Sequence, residues 1–335
     1  MKAVVYTAHA ADRDAFERAR GASAGRCALD YVSVPLDLAH VDLAAGSDAV
    51  VPFVNDRLDA PVLDALAARG VRLVALRSAG HDNVDLAAAA RAGLSVVYVP
   101  GYTPHSVAEY VFALALALLR HVPRACARAR AGDFDIEGLV GSLLAGRRFG
   151  VVGLGRIGRV VAGIAEGFGC EVVGSDPQSA ERRWPLLPLD ELLASSHVVS
   201  LHAPLIESTR GLIDARRLAL MRSDAILVNT SRGALVDTGA LVDALKHGRL
   251  GGAALDVYEH EAGLFYADHS AEILQDDVLA RLLTFPNVVL TSHLGFMSRE
   301  ALDDIARTTL ASLDEFAQGR PLSNALAAPA PGVHA

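Results

Sequence analysis

Short apolar runs alternate with longer Ala- and Leu-rich stretches along almost the whole chain. Such runs are typical of strands buried on both faces, and these strands form parallel sheets whose crossover connections are helices. Helical stretches such as Asp12–Arg20 and Ala60–Ala68 lie between the first runs. The predicted strands of this first part are Ala3–Tyr6, Leu29–Ser33, Ala49–Phe53, Leu73–Leu76 and Val96–Val99.

A Pro/Gly break at Pro100-Gly101 interrupts this pattern, and a second set of βα units follows it. The pattern predicts a long helix over about Pro104–Ala131, disturbed at Pro123, before the alternation resumes. The predicted strands of this second part are Phe149–Val152, Val172–Ser175, Val198–Leu201, Ala225–Asn229, Ala253–Asp256 and Val288–Thr291.

A final helix over about Arg299–Gln318 is indicated by apolar residues at helical spacing, namely Leu302, Ile305, Leu310, Leu313 and Phe316. The Ala/Pro-rich tail after Leu326 is expected to be loose. The 335 residues exceed the size at which one core usually stops growing, about 250–300 residues, so two α/β domains are predicted.

Composition and charge exclude several classes of protein. A net charge of −8 argues against a general nucleic-acid or anionic-membrane surface. The three cysteines, Cys27, Cys126 and Cys170, match no zinc spacing and no CxxC pattern, so we expect no metal site, no disulfide framework and a reducing compartment. Neither a signal-peptide layout nor an apolar stretch of the ~20 residues needed to span a bilayer is apparent, and a cytoplasmic protein with no membrane segment is expected.

A glycine-rich turn between a predicted strand and a predicted helix is the strongest local motif. Gly153-x-Gly155-x-x-Gly158 follows the strand Phe149–Val152. The first glycine permits a tight turn, the second lets a pyrophosphate approach the backbone, and the third lets the helix pack on the strand. The free N–H groups of the helix start, including Arg156 and Ile157, would face the phosphates.

The strand after this helix ends at Asp176, 18 positions beyond Gly158 and near the spacing of ~20 expected for a ribose-binding acid. A carboxylate there accepts hydrogen bonds from the adenosine ribose and repels a 2′-phosphate. The sequence therefore predicts a site for NAD rather than NADP.

Three later strand ends supply groups suited to reducing a 2-oxo acid. Arg232 could bind the carboxylate with its planar fork, His293 could donate a proton near neutral pH, and Glu261 could favour the protonated ring. Ligands of open α/β sheets bind at strand carboxyl ends, where all three residues lie. Taken singly, each residue also has an ordinary structural interpretation, and Glu259 is an alternative partner for the histidine.

At these residues the chain resembles the D-isomer-specific 2-hydroxyacid dehydrogenases, and within that family it is most similar to the fermentative D-lactate dehydrogenases. The resemblance covers roughly residues 1–325. Its matching segments are the glycine motif, Asn229–Gly233, Asp256–Glu261 and Ser292-His293, together with Leu76–Asp85, Val99–Pro104 and Gly263–Asp268.

The resemblance implies a Rossmann NAD-binding domain, residues 102–297, inserted into a flavodoxin-like substrate domain of residues 1–101 and 298–335. Both would be doubly wound parallel sheets. It further implies a homodimer or higher homo-oligomer, to which the helix after Pro104 would contribute. Val111, Leu114, Leu118 and Leu119 could pack on the partner or, as readily, within the same subunit.

The resemblance also implies residue roles. His293 would exchange the proton, Glu261 would pair with it, and Arg232 would bind the substrate carboxylate and polarise the 2-oxo group. Backbone N–H groups of Ala79 and Gly80 would hold the carboxylate from the other domain. The remaining implied positions are Tyr102 and Phe296 at the substrate pocket, and His202, Ala203, Pro204, Thr230, Ser231 and Asp256 around the cofactor.

The activity implied is reduction of a small 2-oxo acid, with pyruvate to D-lactate as the leading case. Gly101, His81 and the segment Leu294–Met297 depart from the pattern expected near the pocket, which leaves a larger D-2-hydroxy acid open as the substrate. An NAD-sensing regulatory protein of the same fold, similar to the transcriptional corepressors, is the alternative from another class.

Overall fold

The computed structural model describes residues 1–21 and 27–327 of the chain. The described strands are Lys2–Val5 (β1), Ala28–Tyr31 (β2), Ala49–Val51 (β3), Leu73–Ala75 (β4), Ser95–Val97 (β5), Arg148–Val152 (β6), Glu171–Ser175 (β7), Val198–Leu201 (β8), Ile226–Asn229 (β9), Gly252–Leu255 (β10) and Val288–Leu290 (β11). The described α-helices are Ala10–Gly21 (α1), Ala60–Ala68 (α2), Leu86–Arg91 (α3), Pro104–Leu119 (α4), Val122–Arg130 (α5), Arg156–Gly167 (α6), Leu189–Ser195 (α7), Ala215–Leu220 (α8), Thr238–Lys246 (α9), Asp277–Leu283 (α10) and Arg299–Ala317 (α11).

The described residues form two compact units, Met1–Thr103 with Met297 onward, and Pro104–Phe296. Every strand predicted from the apolar runs is present, with ends within two residues of the prediction. The tail predicted after Leu326 lies almost wholly outside the described residues.

The first unit is a parallel sheet of order β2-β1-β3-β4-β5. This order is that of the flavodoxin-like doubly wound fold, as predicted. Its strands β1, β3 and β4 are largely buried, the edge strand β2 is partly exposed, and α11 packs on α1. The Arg18 guanidinium lies 2.7 Å from the Asp303 carboxylate across these two helices.

The second unit is a parallel sheet of order β11-β10-β9-β8-β6-β7. A single-residue parallel bridge from Gly174 of β7 to Leu186 marks a very short strand beyond β7. With that bridge counted, the unit's strand order becomes 3-2-1-4-5-6-7, which is the Rossmann order with one added strand. The predicted fold class is confirmed.

Side-chain caps start many of the helices where the sequence places an Asp or Ser. In each case the cap side chain accepts a hydrogen bond from a backbone N–H of the first turn, which satisfies a donor that the helix itself leaves unpaired. The caps are Asp59, Asp85, Asp214, Asp237, Asp276 and Ser298.

The long helix predicted over Pro104–Ala131 is instead two helices, and the disturbance predicted at Pro123 occurs just before it, at Arg120-His121. The chain turns at His121, whose φ of 52° is left-handed, and Pro123 lies in the first turn of α5. A proline is tolerated there because its missing N–H would have no helical partner. Val111, Leu114 and Leu118 of α4 are at most 5% exposed and pack in the unit's own core.

Within the described residues, no single helix has the length and apolarity to cross a membrane; α4 and α5 reach that threshold only as a pair, which is bent by 62°.

Candidate active site

The glycine loop after β6 has the backbone geometry that the motif predicts. Gly153 has a φ of 90°, and a Cβ on it would lie 2.7–2.8 Å from backbone atoms of His202 and Ala203. A Cβ on Gly158 would lie 1.9 Å from the Gly153 carbonyl oxygen. Both positions therefore require glycine, one for the turn and one for close packing of α6 on the sheet.

Gly155 differs, because a Cβ there would meet no atom within 4 Å. It is the N-cap of α6 and offers no side chain to the first backbone N–H groups, among them those of Arg156 and Ile157. An open helix start of this kind suits a pyrophosphate. The residues present thus fit the phosphate end of a dinucleotide.

Asp176 follows β7 and holds the glycine loop through hydrogen bonds. Its carboxylate accepts hydrogen bonds from the N–H of Leu154 at 2.8 Å and from the N–H of Gln178 at 2.9 Å. The residue predicted to bind the ribose therefore also fixes the glycine loop, a second role that the motif did not indicate.

His202 follows β8 on the other side of the glycine loop. Its N–H donates to the Val152 carbonyl at 2.7 Å, and its ring Nε2 lies 2.8 Å from the Ser200 hydroxyl. Burial of the ring lowers the pKa of His202 to about 3, so the imidazole is neutral at physiological pH. The predicted cofactor segment His202–Pro204 is thus held against the glycine loop without a charge.

The loop after β9 carries Arg232 and connects the strand ends on either side of it. The Ser231 hydroxyl donates to the Ala203 carbonyl at 2.8 Å, and the Asn229 amide donates to the Arg232 carbonyl at 2.9 Å. A Cβ on Gly233 would lie 2.0 Å from the Tyr258 carbonyl carbon. Arg232 therefore sits on a loop whose backbone is pressed against the segment that contains Glu261. Thr230, also predicted to be near the cofactor, is buried in this loop.

His293 and Glu261 are in direct contact. The His293 Nδ1 lies 2.9 Å from the Glu261 Oε1, and the two side chains are 13% and 19% exposed. Glu261 is oriented by the Tyr258 N–H, which donates to its other oxygen at 3.2 Å. The alternative partner, Glu259, instead accepts a hydrogen bond from the Thr238 hydroxyl.

Asp256, which is fully buried, holds the turn that carries His293. Its carboxylate accepts hydrogen bonds from the Thr291 hydroxyl at 2.6 Å, the Leu294 N–H at 2.7 Å and the Gly295 N–H at 2.8 Å. Burial raises the pKa of the Asp256 carboxyl, while these three donors favour its charged form and limit the rise. The carboxyl group therefore shapes the turn rather than facing solvent.

The other predicted substrate-pocket residues belong to both units. In the second unit, the Phe296 ring lies edge-on to the His293 ring, with centroids 6.5 Å apart. In the first unit, Ala79 and Gly80 follow β4 on a half-buried loop, in which the Ser78 hydroxyl donates to the Gly80 carbonyl at 2.7 Å. Tyr102 lies just before the boundary of that unit.

Arg77 is a residue whose importance sequence reasoning missed. Its guanidinium pairs with Asp12 at 2.5 Å, donates to the carbonyls of Tyr6 and Thr7, and lies over the Phe53 ring. It therefore anchors the start of the Ser78–Gly80 loop to the end of β1. No local motif signals this, because the partners are about 70 residues away in the chain.

The role of Tyr266 was also not predicted from the sequence, although Tyr266 lies in Gly263–Asp268, one of the segments that carry the family resemblance. Its hydroxyl donates to the His293 carbonyl at 2.8 Å. In the described part of the chain, no group of three or more His, Cys, Asp or Glu side chains is arranged to hold a metal ion.

A Rossmann unit with an open glycine loop, and an imidazole–carboxylate pair at the strand carboxyl ends, together define an NAD-binding oxidoreductase. The family model for the D-isomer specific 2-hydroxyacid dehydrogenase NAD binding domain matches residues 112–295, more than half of the chain. The chain belongs to this family of NAD-dependent dehydrogenases.

Relatives that match over nearly the whole chain support the same family. The chain is 48% identical to 2-hydroxyacid dehydrogenase A of Aspergillus oryzae, over 97% of this chain and 95% of that protein. It superimposes on the pyruvate reductase of Chlamydomonas reinhardtii with a TM-score of 0.89 at 40% identity, covering 97% and 98% of the two chains. The apo-structure of D-lactate dehydrogenase from Escherichia coli gives a TM-score of 0.88 at 36% identity, covering 98% and 100%.

Proposed function

We propose that this protein reduces pyruvate to D-lactate with NADH. The observation that carries the proposal is the 2.9 Å contact between the His293 Nδ1 and the Glu261 carboxylate. Names of similar proteins support the substrate, since a pyruvate reductase and a D-lactate dehydrogenase are among the closely superimposing structures.

The contact sets the direction of the imidazole. Because Nδ1 faces Glu261, Nε2 is the nitrogen available to a substrate oxygen. The Nε2 proton is the one that the ring would donate as the 2-oxo oxygen becomes a hydroxyl. Bound NADH supplies the hydride that C2 of the acid accepts.

Arg232 is proposed to bind the substrate carboxylate and polarise the 2-oxo group. The fixed backbone of its loop, held by Asn229 and pressed on Tyr258 through Gly233, supports this role because a guanidinium fork needs a defined origin to meet two oxygens. The N–H groups of Ala79 and Gly80 are proposed to hold the same carboxylate, with Tyr102 and Phe296 bounding the pocket. The proposed cofactor site consists of residues 153–158, Asp176, 202–204, 230, 231 and Asp256. The first unit is proposed to act as the substrate domain and the second unit as the NAD domain.

The test is a panel of 2-oxo acids with purified protein and NADH, followed by NADH absorbance. We expect the highest kcat/KM with pyruvate, and chiral analysis should identify D-lactate as the product. A much higher kcat/KM for an acid with a bulky side chain would replace pyruvate as the substrate. No turnover of any 2-oxo acid, despite NADH binding, would refute the enzymatic proposal.

We further propose a homodimer that uses α5 and the segment after it. No residue of α5 is buried, and the following segment exposes four apolar side chains, from 67% to 90%: Phe134, Ile136, Val140 and Leu143. The segment is nevertheless anchored, since the Ser142 N–H donates to the Leu119 carbonyl at 3.0 Å. A defined apolar strip of this kind favours a protein contact.

Sedimentation analysis of an Ile136→Asp/Val140→Asp variant tests the dimer. We expect a dimer for the wild type and a monomer for the variant. Ile273→Asp is the matched control, because Ile273 is 85% exposed and lies outside the strip. A monomeric wild type, or a variant that stays dimeric, would contradict this interface.

A further inference from the structure

His293 occupies an unusual backbone conformation. Its φ is 58°, in the left-handed region that residues with a side chain seldom adopt. A conformation of this kind persists only where the surroundings hold it. The direction in which the imidazole leaves the chain therefore depends on the groups that fix the backbone of His293.

Two hydrogen bonds to its own N–H and carbonyl fix that backbone, in addition to the bond from the Leu294 N–H to the Asp256 carboxylate. The His293 N–H donates to the Asp256 carbonyl at 2.6 Å, and the His293 carbonyl accepts from the Tyr266 hydroxyl at 2.8 Å. The first bond continues the pairing of two neighbouring strand ends. The second comes from a side chain on a different segment, so a single substitution can remove it.

The segment that carries Tyr266 also carries Glu261. Glu261 and Tyr266 are joined by a tight turn, in which the N–H groups of Leu264 and Phe265 both donate to the Glu261 carbonyl at 3.0 Å. Phe265 is 8% exposed and anchors this turn in the core of the unit. One rigid turn thus contacts His293 twice, at the ring nitrogen through Glu261 and at the carbonyl through Tyr266.

We propose that Tyr266 is a positioning residue for the proton donor. Its hydroxyl holds the left-handed backbone of His293, so that Nδ1 meets Glu261 and Nε2 is presented to the substrate. This inference rests on the proposed role of His293. Without the hydroxyl, the peptide that follows His293 is held only by the bond from the Leu294 N–H to the Asp256 carboxylate, and the imidazole can move away from Glu261.

Tyr266→Phe is the test, because it removes the hydroxyl and keeps the ring. We expect kcat for 2-oxo acid reduction to fall about tenfold, as a small misplacement of a catalytic group suffices for such a loss. The Kd for NADH should stay within twofold. The KM for pyruvate should change less than kcat, because the hydroxyl holds the proton donor and not the substrate.

Tyr31→Phe is the matched control. Its hydroxyl donates to Glu17 at 2.8 Å in the other unit, and neither residue belongs to the proposed site. The control should leave kcat and KM unchanged. A Tyr266→Phe enzyme with wild-type kcat would overturn the proposal. A loss carried by KM, with kcat unchanged, would assign Tyr266 a structural role only and overturn it as well.

The wild type separates this inference from the proposed function. If the wild type reduces no 2-oxo acid, the proposed function fails. If it is active and Tyr266→Phe matches it, only the role of Tyr266 fails. Imidazole ¹⁵N spectra of both proteins give a readout that does not need turnover: we expect the His293 signals to differ between them, and identical signals would count against the proposal.

Discussion

Gly233 and Tyr258 approach each other so closely that a single added carbon would lie 2.0 Å from the Tyr258 carbonyl carbon. Gly233 follows Arg232 directly, and Tyr258 donates its N–H to Glu261. The contact therefore sets the spacing between the backbone that carries the guanidinium and the backbone that orients the acid. It joins two of the three groups on which the proposed chemistry depends.

Gly233→Ala should lower catalytic activity strongly, although it adds only one methyl group. The methyl group must displace the Tyr258 backbone, and a shift of ~1 Å at a catalytic group can cost about a hundredfold in rate. We expect kcat/KM for pyruvate to fall by at least tenfold. Steady-state kinetics and circular dichroism on the same preparation would check this.

Gly163→Ala is the matched control for that substitution. Gly163 lies inside α6, and a Cβ there would meet nothing within 4 Å. Because alanine is favoured over glycine within helices by about 0.5–1 kcal/mol, the control should keep its activity and gain slightly in stability. Equal activities for Gly233→Ala and Gly163→Ala would show that the close approach of Gly233 to Tyr258 does not affect catalysis.

Asp256→Asn should loosen the turn that carries His293. An amide has one acceptor oxygen, so it cannot accept from the Thr291 hydroxyl and from the N–H groups of Leu294 and Gly295 as the carboxylate does. An unsatisfied buried donor costs about 1–3 kcal/mol, and thermal melting should report a loss of that size. Wild-type melting and wild-type kcat would contradict the role assigned to this carboxylate.

The sequence was most informative where the determinants are local. The glycine loop and the apolar strands each depend on neighbours within a few residues, and the structure has them where they were expected. The prediction failed at His121, because no residue type there signals a left-handed turn. It also missed the short strand at Leu186, since one bridging residue leaves no apolar run.

Contacts between distant segments were harder to predict. The roles of Arg77 and Tyr266 were missed because their partners lie far along the chain. For Val111 of α4, an apolar face indicates burial but not against what, and the structure shows it in the protomer's own core. The catalytic and binding roles of the site residues remain predictions.

Asp176→Ala should weaken the binding of NADH and reduce the preference of the protein for NADH over NADPH. Removal of the carboxylate eliminates the repulsion of a 2′-phosphate and also frees the Leu154 N–H, so the glycine loop loses its anchor. We expect the Kd for NADH to rise about tenfold, as for the loss of one charge-assisted hydrogen bond. Fluorescence titrations with both cofactors measure this.

Asp190→Ala is the control for the change in charge. Asp190 pairs with Arg216 and Arg217 on the surface of the same unit. Asp190→Ala should leave the Kd for NADH and the Kd for NADPH unchanged. If Asp176→Ala also leaves the ratio of the two constants unchanged, the ribose contact has been assigned to the wrong residue.

His202 should make stability depend on pH in the acid range. The folded protein holds this ring neutral, with a pKa of about 3, whereas the unfolded chain binds a proton near the ordinary value of 6.5. Stability is therefore present above pH ~6.5 and is lost as the pH falls toward 3, by at most about 1.4 kcal/mol per pH unit.

His202→Gln tests this, because glutamine cannot bind the proton. Melting temperatures of the wild type and the variant, compared at about pH 7.5 and about pH 5, should fall less for the variant. The same fall in both proteins would show that His202 does not contribute to the acid sensitivity.

Single-turnover reduction of pyruvate by His293→Gln, followed in a stopped-flow instrument with NADH bound, tests the central claim most directly. The account predicts an NADH affinity like that of the wild type and a hydride-transfer rate lower by about 10²–10⁴-fold, the usual contribution of a general acid. A variant that transfers hydride at nearly the wild-type rate would contradict the assignment of His293 as the proton donor.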